Sequence, residues 1–189
     1  MPKKTDMPRG PSGLSRREVL AGVAIVALTA RVSAIHPPAK KKQSRTPRST
    51  GTSVRRYMAA SAVLPDGRIL VTGGYDRPKV GESNPQALNS AVIFDPRDNM
   101  WSTAAPMRVQ RARHAAVALQ DGRIAVLGGM AMNPTASVEI YDPRTNSWEA
   151  GAPLAQPRYD HSAASDGGNV YVLGGSSNTM LSSVEVLQL

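Results

Sequence analysis

The 189-residue chain has no cysteine, which removes disulfides, zinc–thiolate sites and thiol nucleophiles from consideration. Aromatic residues make up only 4% of it, against 41% hydrophobic residues overall, so any core must be assembled from small aliphatic side chains. No apolar run is long enough to cross a bilayer. The longest, Val19 to Ala30, would rise about 18 Å as a helix, against a hydrocarbon core of roughly 30 Å. Acidic residues are few, 14 against 23 Lys and Arg, for a net charge of +9. That excess is confined to one end: residues 1 to 56 hold 13 basic and two acidic residues (+11), whereas residues 57 to 189 hold 10 and 12 (−2). The larger part of the chain therefore lacks the electrostatic footprint of a nucleic-acid-binding surface. Glycine and proline are plentiful, 16 and 15, and these are the residues of tight turns.

The basic end divides in two. Residues 1 to 34 have the layout of an export signal: a polar, basic opening (Lys3, Lys4, Arg9), then Ser15-Arg16-Arg17, an apolar run, and the small residues Val32-Ser33-Ala34, which suit cleavage after Ala34. Arg16 and Arg17 directly before the run resemble the twin-arginine signal, with Leu20 in place and Val19 where that family usually has Phe. The resemblance implies a bacterial protein exported to the periplasm or secreted; an uncleaved anchor is the plainer alternative. Residues 35 to 55 are rich in Pro, Ser and Lys, too poor in apolar side chains to offset ordering entropy, which predicts a disordered linker. The seven basic residues between Lys40 and Arg56 suit either a solvated tether or peripheral contact with an anionic surface.

From Arg56 onward one unit recurs three times, over 56–111, 112–157 and 158–189. The clearest copy runs from Arg113 to Trp148. His161 follows His114, Asp142 follows Asp95 and Trp148 follows Trp101 by 47 residues each, while Gly73, Gly128 and Gly174 are 55 and 46 apart. The period is therefore near 47, with an insertion between Gly74 and Ser90, 16 positions apart against 8 in the other copies. Each unit reads as four short strands. Asp121-Gly122 is expected to close a type I′ hairpin. The double glycines Gly73-Gly74, Gly128-Gly129 and Gly174-Gly175 mark a close backbone approach. Asp142-Pro143-Arg144-Thr145-Asn146 is turn chemistry, with Asn tolerating the left-handed region.

Double glycine after an apolar strand, Phe94 or Tyr141 before Asp-Pro, and Asn-x-Trp ending at Trp101 and Trp148 together resemble the kelch repeat of β-propellers. The resemblance covers residues 56 to 189 and implies an all-β fold: an incomplete propeller of about 2.7 four-stranded antiparallel blades, preceded by a signal helix and the linker. It also implies glycines near the channel, aromatic residues packed between blades, and rim loops that bind partners. Propellers have typically 4 to 8 blades, so three do not close a ring. A fragment, identical chains completing one another, or an open wedge all fit that count.

Candidate chemistry is sparse, and no catalytic, metal-binding or cofactor-binding set stands out. His114 and His161 hold equivalent places, where the first copy has Ala59; a residue that repeats by blade suits a structural role as well as a ligand-binding one. Arg108, Arg111, Arg113 and Arg158 precede first strands, where they can face a ligand at the rim or serve hydrogen bonds between blades. Glu139 and Glu185, matched by Val92, read as exposed strand positions. The insertion Tyr75 to Asn89, with Asp76, Arg77 and Lys79, is either a plain surface loop or a binding loop. The sequence thus points to an exported binding module for a protein or carbohydrate ligand, with Asp76, Arg77, Lys79, Arg113, His114, Arg158 and His161 as its candidate contacts. The alternative is a piece of an extracytoplasmic kelch enzyme acting on sugars, of the sialic-acid mutarotase type. Chemistry similar to galactose oxidase is excluded, because its copper site needs a Tyr–Cys thioether.

Overall fold

The structure, a computed structural model, describes residues 55–76 and 84–189. The signal and linker readings, including Arg16 and Arg17, lie outside those residues, as do Arg77 and Lys79. Among the described residues the secondary structure is all strand, in three antiparallel sheets. The first blade contains β1 (Ala60–Val63), β2 (Ile69–Thr72), β3 (Ala91–Asp95) and β4 (Met100–Ala104), paired in that order. The second contains β5 (Ala115–Ala118), β6 (Ile124–Leu127), β7 (Val138–Asp142) and β8 (Ser147–Ala150). The third has β9 (Ser162–Ser165), β10 (Val170–Leu173) and β11 (Val184–Leu187), with β11 at the edge that precedes the place held by β4 and β8 in the other blades. The arrangement is an open, incomplete propeller.

Turn chemistry explains the strand connections. In the second blade the Gly122 N–H donates to Leu119 O at 3.1 Å and the Leu119 N–H to Arg123 O at 2.8 Å. Only Gly122 has positive φ there, 89°. The hairpin is therefore a type I turn followed by a left-handed bulge residue, not the type I′ turn expected from Asp-Gly. Both solutions place the glycine where L-residues are strained, so the dipeptide does not discriminate between them. In the Asp-Pro turns, Asn99 and Asn146 take φ of 61° and 50°, as the sequence suggests. Asp95 and Asp142 fasten the same turns by accepting the backbone and side-chain N–H groups of Arg97 and Arg144.

Two apolar layers hold the blades together. Leu70, Ala91 and Ile93 of the first blade pack with Ile124, Val126, Tyr141 and Trp148 of the second. Val117, Ala125, Leu127, Val138 and Ile140, from the opposite face of the second blade, pack with Val170, Val172 and Leu187 of the third. The middle sheet is thus covered on both sides, and every residue of β6 is buried. Each such aliphatic side chain contributes roughly 1.5–3 kcal/mol by leaving water, so small residues suffice because they are used on two faces. The glycine pairs permit the approach: a Cβ on Gly128, at φ 58°, would lie 2.5 Å from Arg158 O.

Candidate functional site

At the end of the blades where first strands begin, two of the candidate residues, Arg113 and Asp76, stand in one mouth. The residue before each first strand bridges to the residue after the double glycine: Tyr57 with Tyr75, Ala112 with Met130, Tyr159 with Ser176. The next residue in each copy, Met58, Arg113 or Asp160, has φ between 53° and 58°. These three are strung together across the blades, because the Arg113 N–H donates to Met58 O at 2.9 Å and the Asp160 N–H to Arg113 O at 3.0 Å. The three residues thus line one mouth through their backbone, where the side chains of Arg113 and Asp160 meet.

Arg113 dominates that mouth. Its guanidinium lies 3.2 Å from the Asp160 carboxylate and 5.2 Å from the Tyr159 ring centroid, with Nη1 3.9 Å from the Met130 sulfur. Tyr57 and Tyr75 meet nearby, with ring centroids 5.5 Å apart and planes tilted by 42°. Burial, the largest influence, raises the Tyr75 hydroxyl's pKa, while Arg113 pulls it down. The loops that follow the glycines add Met132 and Met180, 92% and 93% exposed. A paired arginine touching a thioether, Met130, and a tyrosine ring, Tyr159, with exposed methionines in the neighbouring loops, suits contact with apolar side chains. Asp76 sits at the base of the inserted loop, its N–H bonded to Gln86 O, and its charge acts on Arg56.

The other candidates are placed differently. Arg158 is wholly buried; its guanidinium donates to Gly174 O, Ser183 O and Ser183 Oγ and pairs with Glu185. Arg111 makes the same set with Gly128 O, Ser137 O, Ser137 Oγ and Glu139. These bonds lie within a blade rather than between blades, and they make Arg111 the head of the second blade, one residue before the boundary at 112 expected from the sequence. Glu139 is 2% exposed, which corrects its reading as an exposed strand position. Its carboxylate holds Arg111 and also accepts the backbone N–H groups of Arg108 and Val109, in the segment that joins the first blade to the second. Glu185 does the same for Ala155 and Gln156 at the next joint.

Arg56 is the first member of the arginine series, donating to Gly73 O, Ser90 O and Ser90 Oγ. These bonds hold it in the first blade, whose repeat it heads, rather than among the linker's charges with which it is also counted. The signal was its offset of 17 residues from Gly73, the same as Arg111 from Gly128.

His114 is buried, with Nε2 2.8 Å from Thr72 Oγ1 of the first blade. Burial first, then the charges of Arg111 and His161, lower its pKa to about 3. Burial and Arg158 lower that of His161 to about 4, against weaker opposition from a backbone bond to Leu127, Asp160 and Glu185. Both imidazoles are neutral at ordinary pH and lie between blades. Tyr141 and Trp148 are buried at the joint between the first two blades, with ring centroids 5.0 Å apart. Trp148 Nε1 donates to Ala105 O, and Tyr141 Oη donates to Asn146 Oδ1. Trp101 lies 4.9 Å from Phe94 on the other face of the first blade.

Comparison with known proteins agrees with this architecture. Residues 29–185 match a family described as the Attractin/LZTR1 β-propeller. Over 74 residues the chain is 34% identical to beta-scruin of Limulus polyphemus, a stretch that covers 39% of this chain and 8% of that relative.

Proposed function

The chain belongs to the Attractin/LZTR1 β-propeller family, and from that premise we propose that it is an exported protein-binding module whose contact surface is the mouth around Arg113. One observation carries the reading. Met132 and Met180, in the loops that follow the double glycines, are 92% and 93% exposed, and Tyr57 and Met58, ahead of the first strand at the same end of the first blade, are 44% and 48% exposed. Exposed apolar side chains gathered in one place mark interaction surfaces. The polar residues that would suit chemistry, His114, His161, Arg111 and Arg158, are instead buried. Export rests on the Arg16-Arg17 signal and its small-residue end.

Panning a displayed random-peptide library on the protein, with a glycan array in parallel, tests this. Peptide ligands enriched in apolar residues are expected, lost on Met132→Glu and Met180→Glu. Glycan binding without peptide ligands, or peptide binding indifferent to both substitutions, rejects the protein-binding reading.

A further inference from the structure

The contact between blades is made twice in this chain, and the two outermost faces carry the two halves of the same contact again. At each joint one blade offers the face built from Val117, Leu127, Val138 and Ile140 or their equivalents, and the next blade offers the opposite face. On the third blade the equivalents of Leu127, Val138 and Ile140 are Leu173, Val184 and Val186, and these are 42%, 56% and 57% exposed. On the first blade the opposite face presents Val63, 60% exposed, in register with Ile69 and Phe94. The faces are complementary to each other rather than to themselves.

We infer that a second copy of this chain covers them, head to tail, so that the third blade of each copy stacks on the first blade of the other. Two copies of the three described blades give six, within the range of closed propellers, typically 4 to 8, and closure by a two-fold axis avoids an open filament. The backbone supports the same registration. Gly74 N–H donates to Arg111 O and Gly129 N–H to Arg158 O across the two joints. Gly175 N–H, which meets no later blade among the described residues, would donate to the second copy's Arg56 O.

The first blade is also suited to a joint without a covalent connection. Glu139 and Glu185 each fasten a connecting segment through two backbone N–H groups. The first blade has Val92 there. An apolar side chain can be covered by an incoming face, whereas a carboxylate without its N–H donors would be left buried and unpaired.

The mass of the full chain in solution, followed across a concentration series, tests the inference separately from ligand binding at the mouth. The expected species has twice the 20.0 kDa chain mass. Val186→Glu and Val63→Glu, both at exposed positions, should each halve it, and mixing the two variants should restore a two-chain species through the one joint left intact. A single-chain mass for the unaltered protein overturns the inference, as does a ladder of ever larger species. Loss on Val186→Glu but not on Val63→Glu would mean that third-blade faces pair with each other, which also overturns it.

Discussion

Arg111 and Glu139 form an ion pair sealed from solvent: Nη2 lies 2.8 Å from Oε1, and the side chains are 0% and 3% exposed. Both charges have further partners: Arg111 donates through its terminal nitrogens to the Gly128 and Ser137 carbonyls, leaving only Nε unpartnered, and Glu139 holds the segment between two blades. Removing one partner of such a pair leaves an uncompensated buried charge, at a cost of about 3–5 kcal/mol. Glu139→Val, which installs the residue found at position 92, should therefore lower unfolding stability by about 3 kcal/mol or more. The same change at Glu185, 15% exposed, should cost less. Urea unfolding of the two variants decides it, and equal losses would mean that burial is not what makes the second blade's pair stringent.

The buried imidazoles set a pH dependence. In the folded chain His114 and His161 titrate at about 3 and about 4, whereas in the unfolded chain both titrate near 6.5, roughly the unperturbed value. Between those limits the unfolded state binds more protons, so stability falls as pH drops from about 6.5 towards 4, by up to about 1.4 kcal/mol per pH unit for each imidazole. Above that window neither contributes. The carboxyls of Asp95 and Asp166, held down to about 2 by hydrogen bonds from Arg97 and from Asn169 and Gly168 respectively, act at more acid pH. Replacing both histidines by Ala, the residue at position 59, should flatten the slope between about pH 6.5 and 4.5. Chemical denaturation at several pH values reads it; an unchanged slope would show that the imidazoles are not buried neutral.

Gly67 and Gly128 separate backbone strain from close contact. Both have positive φ, 86° and 58°, but a Cβ on Gly67 meets nothing within 4 Å, while one on Gly128 meets Arg158 O at 2.5 Å. Gly67→Ala should cost only the left-handed penalty, about 1–2 kcal/mol. Gly128→Ala must also push the next blade away, for a total of about 3 kcal/mol or more. Thermal unfolding should rank them in that order, and similar values for the two would remove the steric argument for the double glycine.

Export should depend on both arginines of the signal. Arg16→Lys together with Arg17→Lys keeps the charge but removes the paired guanidinium groups that a receptor-read address requires. Fractionation of cells expressing the variant should find it retained in the cytoplasm; undiminished export would assign the segment to a different route.

The repeat was legible in the sequence because its marks are local: the glycine pairs, the Asp-Pro turns and Trp148 act within a few residues of where they stand. The role of Arg56, the head of the first repeat, was hidden by the run of linker charges just before it. Glu139 looked exposed because Val92 breaks the pattern in the first copy, and because a carboxylate's burial depends on an arginine 28 residues away. The hairpin type was ambiguous for a different reason, since two turn geometries ask for the same left-handed glycine. The mouth around Arg113 was only partly visible. Met132 and Met180 sit in loops with no common composition and at different offsets from their glycine pairs, so no spacing marks them.

Met58, Arg113 and Asp160 occupy one backbone position three times with an apolar, a cationic and an anionic side chain. The bonds that fix that position run from main chain to main chain, so it accepts any side chain that tolerates the left-handed backbone there. Scaffold and specificity are thereby uncoupled: the mouth can be rewritten one blade at a time, and a new ligand can be acquired without renegotiating how the blades stack.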